Sequence, residues 1–469
     1  MSDPNPAVPD PQSRSLFQSF VLDPALIFAR VIDSEGIARA VAEEVGKTRD
    51  RIFTPLVTLS LFLSQLLSDD HTCLPAVTRL LAWRTARGLP ACSVDTGGYC
   101  KARQRLPETL LPRLVRETAD DLQDNALEAW LFHGLRVVLA DGSTVSMPDT
   151  PENQAEYPQH TLQKPGCGFP IARIVVLISL AIGCVLDAAI GAGKGKFTGE
   201  MALIRALHGR LKPGDIVLAD SYYSSFDEVV TLVGMGVDVV MRQHGGRRSD
   251  FRRGTSLGQE DHRVEWHRSR NRPGWMSREE FAALPRVLLM REAKVRVDKR
   301  GFRTKVFVVV TTLLDPEAFP RQELAGLYRA RWHAELDIRS IKQTLKMDVL
   351  RCKTPAMVRK EIWGHFLVYN LIRGVMAEAA SCHGLLPREL SLQGARQTVA
   401  GFRAELTQAD VESAVVLRAV ALRAIAYHRV GDRPDRVEPR VVKRRPKAYP
   451  RMHESRQSFK KRKRLVPAA

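Results

Sequence analysis

Apolar residues recur at helical spacing through the first quarter of the chain, from Ala25 through Leu59, Phe62 and Leu66, then from Val77 to Trp83, then from Leu106 to Leu122. Residues 1–130 therefore read as a helical region. The texture changes after Gly134. Leu135 to Ala140 is a short apolar strand ending at Asp141-Gly142-Ser143, and Ile171 to Ile182 and Val185 to Ile190 are two more strands joined through Gly183. Helical spacing returns from Gly199 to Leu211. Ile216 to Ala219 is a fourth strand ending at Asp220, a helix runs from Phe226 to about Met235, and Val237 to Arg242 is a fifth strand. Three leading strands followed by alternating helix and strand predict an α/β fold, a mixed sheet covered by helices.

From His244 to about Pro320 the pattern breaks and becomes polar, Arg-rich and then strand-like. Arg286 to Val297 and Phe302 to Leu313 alternate around Asp298-Lys299-Arg300-Gly301, a hairpin signal, so this stretch reads as a β-rich insertion. Helical patterning resumes near Arg321 and continues to about Tyr427. Beyond Arg433 the chain is rich in Pro, Arg and Lys, with Lys443-Arg444-Arg445 and Lys460-Lys461-Arg462-Lys463-Arg464, and reads as a disordered basic arm. The expected division is a helical region (1–130), a first core segment (131–243), the insertion (244–320), a second core segment with C-terminal helices (321–432) and the arm (433–469).

Composition narrows the function. With 469 residues, 44% of them hydrophobic, the chain has material for a sizeable core and about two or three domains. A formal net charge of +19 points to a polyanionic partner, most plausibly nucleic acid, rather than a membrane surface. The seven Cys are scattered without a CxxC pair, which suits a reducing compartment and argues against zinc or a disulfide framework. The N-terminus, Pro-rich and polar, is not a signal peptide. The apolar run from Ile52 to Ser68 contains Pro55 and several hydroxyls and is read as a buried helix rather than a membrane span. The expectation is a soluble, cytoplasmic, nucleoid-associated protein.

One helix carries the densest chemistry, in the spacing Tyr328-(2)-Arg331-(3)-Glu335-(6)-Lys342. At about 100° per residue these side chains and Arg339 share one narrow face, while Leu327, Ile338 and Ile341 fall on a neighbouring one. A lone carboxylate among cations suits a metal-bound acid with cations reaching toward phosphates; an ordinary i,i+4 salt bridge from Arg331 to Glu335 is the alternative. Asp141 and Asp220 each follow an apolar strand, where ligands gather in α/β sheets. With Glu335 they form a candidate three-carboxylate set that needs a cation to relieve its own repulsion. All-oxygen ligands select Mg²⁺ or Mn²⁺, and two such ions can clamp a phosphodiester. Taken singly, Asp141-Gly142 is also a turn dipeptide and Asp220 also a possible helix cap. Asp149 and Asp187 are spare acids near the same crevice.

The Tyr-(2)-Arg-(3)-Glu-(6)-Lys spacing resembles the signature of bacterial insertion-sequence transposases of the "IS-four" group, DDE enzymes with an RNase H-like catalytic domain, and Tyr328, Arg331, Glu335 and Lys342 match it completely. The segments from Asp141 to Asn153 and from Leu211 to Tyr223 are similar to the group's first and second blocks, and a long insertion before the Glu is also one of its features. One departure is Ser221 after the second Asp, where the group often has Arg. The resemblance implies metal-dependent cleavage and strand transfer at the ends of a mobile element. It implies Asp141, Asp220 and Glu335 as catalytic metal ligands, Arg331 and Lys342 on the DNA backbone, Tyr328 beside a phosphate, and double-stranded DNA and a second copy of the chain as partners. The alternatives are a catalytically silent DNA-binding protein derived from a transposase, and a nuclease without strand transfer.

Other signals are weaker. Lys101 and Arg103 lie on a basic helix edge, a candidate DNA contact or an ordinary solvated face. Trp266 and Trp275 stand among arginines in the insertion and either stack on unpaired bases or pack its small core. The Gly191–Thr198 stretch misses the GxxxxGK[ST] spacing, and His262 and His267 lack partners for a zinc site.

Overall fold

The computed structural model of the chain describes Phe28, Val31 and residues 34–46, 52–195, 198–296, 306–431 and 452–464. The leading region contains α1 (Ser34–Val45), α2 (Pro55–Leu67), α3 (Cys73–Ala86), α4 (Gly97–Arg105) and α5 (Leu110–Asp124). The helical signal at Ala25 lies outside the described residues. Helix α2 opens with Thr54, whose side chain accepts from the Val57 amide, and with Pro55 in its first turn. It is buried from Leu56 to Leu66, so the apolar run from Ile52 is a core helix. No helix among the described residues is long and apolar enough to cross a membrane.

The next elements are β1 (Val137–Ser146), α6 (Pro151–Glu156), β2 (Ile171–Ser179), β3 (Val185–Ala192), α7 (Glu200–Arg205), β4 (Ile216–Ala219), α8 (Phe226–Gly234) and β5 (Asp238–Arg242). They form a sheet in the order β3-β2-β1-β4-β5, in which β1, β4 and β5 are parallel and β2 runs against both neighbours. Gly183, at φ 90°, supplies the left-handed residue of the tight β2–β3 return. This is the RNase H-like mixed sheet that the resemblance implied.

The insertion contributes β6 (Thr255–Gly258), β7 (Asp261–His267), α9 (Arg278–Ala283), β8 (Val287–Arg296) and β9 (Val306–Thr311). Strands β8 and β9 are the expected antiparallel hairpin; its turn at Asp298–Gly301 lies outside the described residues. β9 pairs with β5, so the inserted strands extend the central sheet. Among the described residues all nine strands belong to one sheet, ordered β3-β2-β1-β4-β5-β9-β8-β7-β6. Alternation alone could not show this, because it fixes which face is buried and not which edge a hairpin joins.

The remainder is helical: α10 (Arg321–Ala330), α11 (Trp332–Arg339), a π-helical turn (Ser340–Thr344), α12 (Pro355–His383), α13 (Leu392–Gln408), α14 (Val411–Tyr427) and α15 (Arg456–Arg464). The single helix expected from Arg321 is therefore interrupted. The Arg331 amide bonds to Tyr328 at 3.1 Å in a tightened turn, and the Leu345 amide reaches back to Ser340. The expected disordered arm falls largely outside the described residues. Where it is described it is α15, a run of good helix formers without Gly or Pro.

Helix α12 is the spine of this half. It is buried through most of its length and packs on α2, α5, α14 and β3. A polar knot joins it to α11. The buried Asp337 carboxylate accepts from Tyr369 Oη at 2.9 Å, from the buried Arg373 guanidinium, and from Arg388 Nη1 at 2.6 Å. Arg388 also donates to the carbonyls of Ser179 and Leu180, 2.7 Å each, at the end of β2. One carboxylate thus ties α11, α12 and the sheet together. Removing one partner of such a buried set strands the others, so Asp337→Ala should cost about 3–5 kcal/mol in urea unfolding. Tyr369→Phe, which deletes one hydroxyl, should cost about 1 kcal/mol. A loss below 1 kcal/mol for Asp337→Ala would show that packing alone holds α11.

Candidate active site

The site lies where β1 loses its neighbour. Parallel pairing of β1 with β4 stops at Leu139–Leu218, while β1 runs on to Ser146 paired with β2. Asp141 is consequently inside a strand, opposite Val176, and not in the turn that Asp141-Gly142 could have made. By alternation its side chain shares the face of Leu139, the face on which α11 packs. Asp220 follows β4 directly and opens a 3₁₀ turn, its Oδ1 accepting from the Tyr222 amide at 2.7 Å. The capping role is therefore real, and it fixes this acid at the opposite rim of the same cleft.

Helix α11 closes the cleft from one face. Ala334, Asp337 and Ile338, with Ile341 in the π turn, form its buried side at i, i+3, i+4, i+7 spacing, and Glu335 sits one step round from that side. Glu335 Oε1 accepts from Arg331 Nη2 at 2.8 Å, with side-chain exposures of 39% and 17%. The salt bridge that offered the plain reading of this spacing is present. Lys342, in the π turn, donates from Nζ to Thr144 O at 2.8 Å and Ser143 Oγ at 3.2 Å, gripping β1 just past Asp141. π turns are rare and often mark functional sites. Tyr328 is buried against Phe307 of β9, with ring centroids 5.1 Å apart, and lies within electrostatic reach of Arg331, Arg242 and Asp220. Arg339 is exposed.

One acid was missed by the sequence reading. Glu200, the first residue of α7, accepts a hydrogen bond from the Tyr223 hydroxyl and presses on Gly142 from the face opposite α11. A Cβ built at Gly142 would lie 2.6 Å from the Glu200 carboxyl carbon, so the glycine makes room for it. The Gly199-Glu200 start of a helix after the third strand was its only sequence signal. Burial pushes the Asp141 carboxyl up to about 6; the Gly142 amide and Arg331 oppose this, and the charges of Glu335 and Glu200 add to it. The two spare acids lie elsewhere. Asp187 is salt-bridged to Arg116 at 3.0 Å, and Asp149 accepts from Gln154. Among the described residues no three Asp, Glu, His or Cys groups stand close enough to enclose an ion. Asp141 feels the charges of Glu335 and Glu200, while Glu335 is paired with Arg331 and Asp220 caps its own turn.

Two expected DNA contacts are corrected. Arg103 is only 8% exposed and its guanidinium bonds to Gln65, Cys73 and Cys100, so it serves the helical core. Trp266 is 1% exposed, with its indole donating to Glu292 at 2.8 Å and Arg247 stacked 3.8 Å above the ring. Trp275 is half-buried, with Arg205 of α7 3.6 Å from its ring centroid, and Lys101 is exposed on α4. His262 is satisfied by Glu292 and the Arg253 carbonyl.

The raised Asp141 carboxyl makes a stability prediction. The folded chain binds this proton more tightly than the unfolded chain, so stability falls as pH rises from 3.8 to about 6, and the cost is complete at pH 7. In chelator at pH 7, Asp141→Asn should therefore be more stable than wild type by on the order of 1–3 kcal/mol, with little gain at pH 4. Equal urea midpoints at pH 7 would mean that Asp141 is not electrostatically strained.

The family described as "Transposase DDE domain" matches residues 132–371, from just before β1 to well inside α12. Transposase InsG for insertion sequence element IS4 of Escherichia coli (strain K12) is 29% identical over 371 residues, covering 78% of this chain and 80% of that protein. Putative transposase InsZ of the same organism is 29% identical over 136 residues, 28% of this chain and 44% of that one. A piggyBac transposase synaptic complex with hairpin DNA superimposes loosely, at TM-score 0.39 and 10% identity over 88% of this chain and 85% of that one. The matched segment contains β1, β4, α11 and the cleft between them, and the chain belongs to the transposase DDE-domain family: it is a DDE transposase.

Proposed function

We propose that this transposase cleaves DNA at the ends of an insertion sequence and joins the freed ends to target DNA, with Asp141, Asp220 and Glu335 as its catalytic acids. The observation that carries this reading is the placement of the three acids, with Asp141 in β1 just past the last β1–β4 pair, Asp220 directly after β4 and Glu335 on α11, which packs on β1. Such a site is short of positive charge. Its all-oxygen donors fit a hard divalent cation, Mg²⁺ or Mn²⁺, singly or as a pair. Bound by Asp141, Asp220 and Glu335, such ions would supply Lewis-acid charge at the reacting phosphodiester.

The remaining roles belong to the chain's own side chains. Arg331 holds Glu335 through one arm of a planar fork, and a half-exposed i,i+4 pair of this kind is worth under about 1 kcal/mol. The guanidinium can turn to a phosphate at small cost and bind it bidentately. Tyr328 backs Arg331 from the β9 side. Lys342 fixes the strand segment that follows Asp141 and presents its charge at the cleft rim. Arg339 and Lys101 are exposed cations for the flanking double-stranded DNA, and Trp275 is a secondary contact. Glu200, pinned by Tyr223, sets the height of β1 at Gly142. Bringing two element ends together calls for two such sites, so a homodimer on paired ends is the assembly proposed, with nucleoid-associated DNA as its setting.

The test is cleavage and strand transfer on end-bearing DNA in Mg²⁺. Asp141→Asn, Asp220→Asn and Glu335→Gln should each abolish both steps while end binding persists. Wild-type rates in any one of them would remove that residue from the site. Arg331→Ala should lower the cleavage rate on the order of 10²-fold, the loss expected for one transition-state contact, whereas a purely structural salt bridge would leave the rate unchanged.

Affinity is a separate readout. With a net charge of +19, log affinity should fall linearly with log salt, by about 0.9 per phosphate neutralised. Deleting residues 433–469 should flatten that slope for end and random DNA alike. Loss of end discrimination with an unchanged slope would make the arm a sequence reader instead.

A further inference from the structure

A cluster unrelated to the acids lies in the leading helices. Cys73 is the first residue of α3 and Cys100 lies in α4, and their Sγ atoms are 3.7 Å apart. Both residues are partly buried. The Arg103 guanidinium reaches both, with Nη2 3.3 Å from Cys73 Sγ and 3.7 Å from Cys100 Sγ. Its position is fixed by the faces of Tyr99 and Phe62, 4.9 and 5.2 Å from the ring centroids, and by Gln65. A buried cation held against two touching sulfurs is more than helix packing requires, because two apolar side chains would fill that space without it.

We propose that Cys73 and Cys100 are a reversible thiol–disulfide pair that clamps α3 to α4. A disulfide needs about 2.05 Å between sulfurs, so the two, now 3.7 Å apart, must close by about 1.7 Å. With hydrogen peroxide as oxidant, one thiolate attacks a peroxide oxygen, giving a sulfenic acid and, after proton uptake, water. The second thiolate then attacks the sulfenic sulfur, the S–S bond forms, and a second water leaves. The two sulfurs lose two electrons and two protons in all, and the peroxide takes them up. Burial holds the Cys73 thiol above its ordinary range, with Arg103 opposing this, so the reaction should quicken as pH rises. The bond would tie down α3 and α4, whose small core of Val57, Leu61, Val77, Leu80 and Tyr99 is separate from the sheet's.

The test uses the full-length chain, reduced, freed of reductant and exposed to hydrogen peroxide or oxidised glutathione while folded. Non-reducing digestion and mass spectrometry should give a crosslinked peptide pair containing Cys73 and Cys100, lighter by two hydrogens and released by dithiothreitol. Cys100→Ser should instead leave Cys73 as a glutathione adduct, and Arg103→Lys should slow crosslinking several-fold less than Arg103→Gln. Circular dichroism of each variant separates loss of the pair from loss of fold. Modification of exposed Cys382 without a Cys73–Cys100 crosslink in wild type would overturn the proposal. So would preferential crosslinking of Cys73 to Cys352.

Discussion

The buried Asp337 carboxylate, shared by Arg373, Arg388 and Tyr369, is the interaction on which the site depends. Glu335 is two residues earlier on α11, and α11 is short. Its apolar side is only Ala334 and Ile338, continued by Ile341. That area is too small to fix a helix to within the tolerance that charge chemistry demands. A carboxylate that accepts from Tyr369 and Arg373 of α12 and from Arg388, which also donates to the carbonyls of Ser179 and Leu180 at the end of β2, removes the remaining freedom. The desolvation cost of burying it is offset only when every partner is present, which makes the position of α11 all-or-none.

The sheet adds a second constraint. Because β4 is four residues long and β1 is ten, the two diverge beyond Leu139–Leu218. The cleft that results is a consequence of unequal strand length, and it separates Asp141 from Asp220 by one missing strand pairing. Closure of the sheet on its far side by β9 places Phe307 beneath Tyr328, so the inserted strands support the wall that carries Arg331. The insertion is therefore coupled to the site by packing, not only by sequence position.

Charge in the cleft is deliberately unbalanced. Four carboxylates border it, and two cations at its edges, Arg331 and Lys342, are engaged by Glu335 and by the β1 backbone and Ser143. Asp141 bears the consequence, with burial and two neighbouring acids working against its ionised form. Strain stored in this way at a folded chain's cleft is relieved by whatever positive charge enters, which is how a site can hold its shape while preferring to be filled.

The sequence determined much of this. Period-two and period-3.6 patterning gave the five core strands, the β8–β9 hairpin and the helices around them, because burial on one face leaves its period in the chain. The Tyr328-Arg331-Glu335-Lys342 spacing, with Asp141 and Asp220 after apolar strands, was enough to nominate the chemistry. Other features required the tertiary structure. That Asp141 lies within β1, that β9 joins β5, and that the helix breaks at Arg331 all depend on partners distant in sequence. The sequence left Arg103 open between a DNA contact and a solvated face, and Trp266 between base stacking and core packing; only the fold supplies the thiols, Gln65 and Glu292 that satisfy them inside. Glu200 was invisible for the converse reason, since a single acid at a helix start acquires meaning only when Gly142 lets β1 come down against it.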